Sequence, residues 1–186
     1  MVMPPYLSVH TIRAARTSVL HPYPLFTQQA ILEDIVASLY AQGMRKLIIL
    51  SGHGGNNFKG MIRDLAFVYP DFLIIAADWF SIVPPKDYFE AVVDDHAGES
   101  ETSVMMHYHP ELVNLAEAGD GESQPFAIPS LNEKVGWAPR HWDKATVDSG
   151  VGNPKKASAE KGERYMKPVV EKLAKLFTEV GLGSLY

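Results

Sequence analysis

Cysteine is absent from this 186-residue chain, which excludes disulfides and thiolate metal sites alike. Any metal bound by such a chain takes imidazole and carboxylate donors. Long apolar runs are also missing. No stretch approaches the ~20 residues that span a bilayer, and the first two dozen residues lack the continuous apolar core of a secretory signal. The expectation is a cytoplasmic protein with no membrane partner. Positive charge is scarce: 17 Lys and Arg against 22 Asp and Glu give a net charge of −5, which argues against a nucleic-acid surface. Internal repeats and low-complexity tracts are lacking too. What remains, 46% hydrophobic and 21% charged residues, is the composition of an ordinary globular protein. A single domain over residues 1–186 is expected.

The chain opens with Pro4-Pro5, Pro22 and Pro24 beside His10, Arg13, Arg16 and His21, a loop-rich lead-in over residues 1–26. Thr27 then caps a helix of about residues 28–42, whose buried face is Ile31, Leu32, Ile35, Val36 and Leu39, with Gly43 as its left-handed stop. The continuous apolar run 46–50 predicts a strand buried on both faces. A helix over 58–69 and a second apolar strand over 72–77 follow. Two strands joined by a helix are expected to be parallel. Pro84-Pro85 opens a segment read as a helix through Val93. A helix ends at Pro110, and the Gly- and Pro-rich region 119–152 reads as a long excursion with a short strand. The last helix, from Ser158 to Val180, carries Met166, Val169, Val170, Leu173, Leu176, Phe177 and Val180 as its stripe, with Pro168 as a kink or first-turn residue.

Two polar clusters carry the chemistry. Ser51-Gly52-His53-Gly54-Gly55-Asn56-Asn57 follows the first strand, where α/β sheets bind ligands, and its glycines let a ligand approach the backbone. Asp94-Asp95-His96-Ala97-Gly98-Glu99-Ser100-Glu101 leads into a helix. His53 and Glu101 offer donor types suited to metal-assisted hydrolysis. Equally, His53 can be a turn histidine, and Glu99 and Glu101 can simply favour the helix N-terminus. The first cluster lacks the Lys-Ser/Thr of a phosphate loop. His107 and His109 read as solvated or core-edge residues. Trp137, His141 and Trp142 either line a pocket or pack.

GHGGN after an apolar strand, followed further along by HAGESETS, resembles the creatininase (creatinine amidohydrolase) family. The resemblance implies an α/β fold, a three-layer sandwich with a mostly parallel sheet. It implies a homo-oligomer, hexameric in the family, that hydrolyses a C–N bond of a cyclic or related small-molecule amide at a binuclear centre of divalent metal, Zn2+ and/or Mn2+. By motif, His53 and Glu101 correspond to metal ligands, His96 to the catalytic histidine, and Gly54, Gly55 and Asn56 to the substrate side of the loop. Glu99 is the other acid of the motif. The family's E-x-H-G-x-H-L-P-x-x-T-D segment has no counterpart in residues 1–26, so the expectation is a chain lacking the first strand and part of its ligand set, and of doubtful activity alone. Gly54-Gly55 stand where creatinine-cleaving members carry Tyr-Glu, which turns expectation away from creatinine. A non-catalytic binding or assembly subunit, and a member cleaving formamide or peptide bonds, are the alternatives.

Overall fold

The computed structural model describes Val2 and residues 24–184, so the expectations for His10, His21 and most of the lead-in lie outside the described residues. The described chain divides into two compact units, residues 24–82 with 171–184, and residues 83–170.

In the first unit, α1 (Leu25–Ala41) buries Gln28, Leu32, Val36 and Leu39 on one face, the three-and-four spacing that a helix repeat of 3.6 dictates. The helix starts earlier than expected. Pro24 is its N-cap and its carbonyl accepts from the amides of Thr27 and Gln28, so Thr27 lies inside the first turn and caps nothing. Gly43, at φ +84°, makes the expected left-handed stop. Strand β1 (Lys46–Ser51) pairs in parallel with β2 (Leu73–Asp78), Lys46 opposite Leu73 and Ser51 opposite Asp78. Between them runs α2 (Phe58–Val68), which buries Met61 and Leu65. These two, with Leu32, Val36, Leu39, Phe72 and Ile74, form one core. The expectation that β1 is buried on both faces is corrected. Leu50 is exposed and Leu47 to Ile49 are half-buried, so the faces of the strand are only partly covered. At the start of β1, the Lys46 ammonium donates to the carbonyls of Val180 at 2.7 Å and Gly183 at 2.6 Å. A cation there satisfies carbonyls that a helix end leaves unpaired.

The second unit is built around α3 (Glu99–Tyr108) and a short antiparallel pair, β3 (Asp94–His96) with β4 (Val151–Gly152). The excursion between them holds two single-turn helices, α4 (Pro129–Asn132) and α5 (Trp142–Ala145). The last helix, α6 (Ala159–Leu182), runs through Pro168 without ending. Its buried positions are Gly162, Tyr165, Val169 and Leu173, whereas Val170 and Phe177 of the expected stripe are exposed. The apolar face thus turns on Gly162 and Tyr165, which an apolar count passes over. Tyr165 packs edge-on against Phe89, with ring centroids 5.1 Å apart, and its hydroxyl donates to the Val83 carbonyl. The helix expected from Pro84 to Val93 is only a turn at Pro85–Asp87. The amides of Glu90 and Ala91 go instead to the Glu99 carboxylate. No described helix is long and apolar enough to cross a membrane.

Gly162 and Gly60 make opposite predictions. A Cβ at Gly162 would lie 2.1 Å from the Ser103 carbonyl oxygen, whereas one at Gly60 meets nothing within 4 Å. Gly60→Ala should therefore stabilise by about 0.5–1 kcal/mol through helix propensity. Gly162→Ala should destabilise by about 1–3 kcal/mol through overpacking, despite the same propensity gain. Urea unfolding midpoints check both signs.

Candidate active site

His53 stands at the carboxyl end of β1, as its position in the sequence suggests. Its carbonyl accepts from the Asn56 amide, and its ring Nδ1 accepts from the Gly55 amide at 2.9 Å. Accepting at Nδ1 places the proton of a neutral imidazole on Nε2. Gly54 lies bare against the Phe80 ring, 3.7 Å from where its Cβ would be, and the Trp79 indole N–H donates to the Gly52 carbonyl. Asn56 carries the one orphan among the described residues: its Oδ1 is buried without a hydrogen-bond partner. Such an atom costs about 1–3 kcal/mol unless a donor reaches it.

In the other unit, the HAGESETS segment divides its acids between two tasks. Glu99, only 1% exposed, is fully committed. One carboxylate oxygen accepts from the amides of Glu90 and Ala91 at 2.9 and 2.8 Å, and the other accepts from the Lys161 ammonium of α6. Lys161 also reaches Glu90 at 3.0 Å and the Lys156 carbonyl. Two residues along, Glu101 is 35% exposed at its side chain. A step of two positions on a helix carries a side chain to the opposite face. Its Oε2 accepts from the Ala97 amide at 2.7 Å, and Thr102 donates to the Ala97 carbonyl. Ala97, at φ +50°, is thus held from both sides in a left-handed conformation that costs a non-glycine residue about 1–2 kcal/mol. Asp94 closes the turn by accepting from the Ser100 amide, and burial pushes its carboxyl up. A Cβ on Gly98 would meet that carboxylate and push it from its place. Ser103 is buried, donates to the Glu99 carbonyl and accepts from the Ser158 amide.

His96 ends β3 with its Nδ1 3.9 Å from Glu101 Oε2 and its ring centroid 5.0 Å from that of Trp142. Arg140 lies over the other ring system of this stack, 4.7 Å from the Trp142 centroid, and bridges to Asp95 at 2.7 Å. Of the three loop residues considered as pocket-lining, Trp142 is therefore placed beside the motif histidine, while Trp137 and His141 are exposed. His109 is exposed and paired with Glu111. Lys161 and Arg140 carried no signal in the sequence, because their partners lie far away in the chain or in an irregular loop.

The clamp makes two predictions. Glu99→Ala strips the acceptor from two part-buried amides and removes one of three partners of Lys161, and should cost about 2–3 kcal/mol. Glu101→Ala loses one half-exposed hydrogen bond and should cost about 1 kcal/mol; chemical denaturation ranks them. The second concerns pH. Hydrogen bonds from Lys156 and then Lys161 hold Glu90 down at about 2, against an ordinary 4.5, so its share of stability is complete above the ordinary value and fades as pH falls toward 2. The bond to Glu99, then that to Glu90, pushes Lys161 above its ordinary 10.5, so its share is complete below that and fades as pH rises through the raised value. The stability gap between wild type and Lys161→Met should be flat from about pH 5 to 10 and narrow outside that window.

The creatininase (creatinine amidohydrolase) family pattern matches residues 23–177. A mycofactocin precursor peptide peptidase of Mycobacterium ulcerans is 32% identical over 131 residues, covering 68% of this chain and 45% of the relative. The creatinine amidohydrolase of Pseudomonas putida is 24% identical over 168 residues, covering 82% of this chain and 62% of the relative. The chain therefore spans about half to two-thirds of the length of these relatives. Among solved structures, a Bacteroides fragilis protein provisionally named a creatinine amidohydrolase superposes with a TM-score of 0.92 at 74% identity, over 96% of this chain and 71% of the other. A creatininase mutant of Zn-Zn type gives 0.71 at 20% identity, covering 92% and 72%, and a creatininase is also known in a Mn form. The fold is α/β and creatininase-like, the curated relatives are hydrolases, and the chain belongs to the creatininase family.

Proposed function

We propose that this chain serves in a metal-dependent hydrolase acting on a C–N bond of an amide. The observation that carries the reading is the presentation of Glu101 and His96 together at the N-terminus of α3, with Glu99, the other acid of the motif, committed to the fold. The donor types fit the group: His53 and Glu101 offer imidazole and carboxylate, the set that zinc and manganese accept. The arrangement of the described residues falls short of a complete site. No three His, Asp or Glu side chains gather as a metal cluster among them. His53 would also have to give up its Nε2 proton, and with it the Gly55 hydrogen bond at Nδ1, to bind through Nε2. By its own motif, each of His53 and Glu101 is proposed as a metal ligand. A divalent ion, when bound, would supply polarisation of the scissile carbonyl.

The chain's own residues supply the rest. His96 presents Nδ1 toward Glu101, which favours the ring orientation and leaves the imidazole to take a proton from the attacking water and deliver it to the departing nitrogen. The Trp142 face beside it restricts the ring to that position. Gly54 and Gly55 allow the substrate amide close to the backbone, and Asn56 Oδ1 accepts a substrate N–H. A peptide bond is the favoured amide among the alternatives. It is supported by the peptidase relative at 32% identity and by the bare Gly54-Gly55 turn, which admits an extended chain.

Where the donor set is complete and Zn2+ or Mn2+ is supplied, amide hydrolysis should appear and should vanish on chelation. His96→Ala should lower kcat at least about 100-fold with metal content unchanged, the scale of a lost general acid-base. Glu101→Ala should lower both metal content and rate. Rates and elemental analysis on the same preparations check this; metal-independent hydrolysis, or a His96→Ala variant of full activity, would contradict it.

A further inference from the structure

On the far side of Glu101 lies a cavity of about 360 Å3, contained entirely within the second unit. That is at the small end of the ~300–1,000 Å3 typical of small-molecule sites. Its walls are Glu101 and Met105 of α3, the Leu112–Leu115 turn, and the glycine-rich segments at Gly119–Gly121 and Asp148–Gly152. The lining is largely aliphatic, with Met105 37% exposed and Leu112, at the rim, 69% exposed. A ligand that covers them gains their burial. The glycines cannot grow side chains into the space, since a Cβ on Gly121 or Gly152 would strike neighbouring backbone within 3 Å; the cavity is thus kept open by the packing of its own wall.

The charges are of one sign. Glu101 and Asp148 line the cavity, and among the described residues no Lys, Arg or His does. Asp148 Oδ1 accepts from the Gly150 amide at 3.0 Å, which fixes the carboxylate at the rim. Even with Glu101 engaged by a metal, Asp148 remains as an unneutralised charge beside the aliphatic lining. Asp148 is exposed, so its charge acts at the mouth of the cavity, where it repels an anionic ligand and attracts a cationic one.

We propose that this cavity receives an aliphatic group ending in a cation, of the length of an alkylammonium or lysine-like chain, and so selects cationic amide substrates over anionic ones. This deepens the hydrolase reading only in saying what the pocket does for catalysis; binding itself requires the walls and not the chemistry.

The test uses the full chain without metal and three probes of one length: n-pentylammonium, 1-pentanol and pentanoate. Binding is followed by the Met105 methyl resonance, assigned with Met105→Leu. Pentylammonium should shift that methyl saturably, pentanol more weakly and pentanoate least. Asp148→Asn, which can keep the bond to the Gly150 amide, should cut the preference for ammonium over alcohol about threefold to tenfold. Leu112→Lys, at an exposed rim position, should abolish pentylammonium binding. Equal or tighter binding of pentanoate, an unchanged preference in Asp148→Asn, or no Met105 response to any probe would overturn the proposal. Pentylammonium binding in a chain that proves to have no metal-dependent hydrolysis would sink the hydrolase reading alone, and hydrolysis without any Met105 response would sink this one alone.

Discussion

A buried carboxylate governs how the second unit of this protein is built. Glu99 sits at the first position of α3 with its charge out of water, a situation that costs several kcal/mol unless each oxygen is paired. Two backbone amides and the Lys161 ammonium pair it. Those partners come from the irregular strand-like segment before β3 and from α6, so one side chain fixes three pieces of chain. Because α3 is held at this point, the residue two positions along faces the other way, and Glu101 is turned out toward Ala97, His96 and the cavity. The same constraint sets the close approach of α6 at Gly162 to Ser103.

The first unit was legible in the sequence because its signals are local. An apolar run, a glycine turn and an amphipathic helix each announce themselves within a dozen residues, and β1, α2 and β2 stand where the pattern put them. The boundaries moved where a neighbour's chemistry intervened. Pro24, with its fixed φ, starts α1 ahead of Thr27. The stripe of α6 turns on Gly162 and Tyr165, because helix packing there rewards a missing side chain and an aromatic hydroxyl with a carbonyl partner. The turn at Pro85–Asp87 does not continue as a helix for a non-local reason: the amides of Glu90 and Ala91 go to the Glu99 carboxylate.

The candidate site was legible by residue type and not by role. Glu99 and Glu101 differ by two positions in a run of acids, and no local rule says which is buried. The decisive partner, Lys161, lies on another helix in the same unit. Trp142 could not be separated from Trp137 and His141 by composition; its place beside His96 comes from the loop's path. His53 was placed correctly at a strand end, but the Gly55 amide on its Nδ1 is visible only in the turn's geometry.

The account rests on a split between an acid that holds the fold and an acid offered to chemistry. Isothermal titration of Zn2+ or Mn2+ into Glu99→Gln and Glu101→Gln, each first shown folded at the working temperature, tests that split most directly. Glu99→Gln should bind metal close to wild type once its lower stability is allowed for, while Glu101→Gln should be as stable as wild type and bind at least about tenfold more weakly. Weakened binding in a folded Glu99→Gln, with Glu101→Gln unaffected, would reverse the two roles and contradict the account.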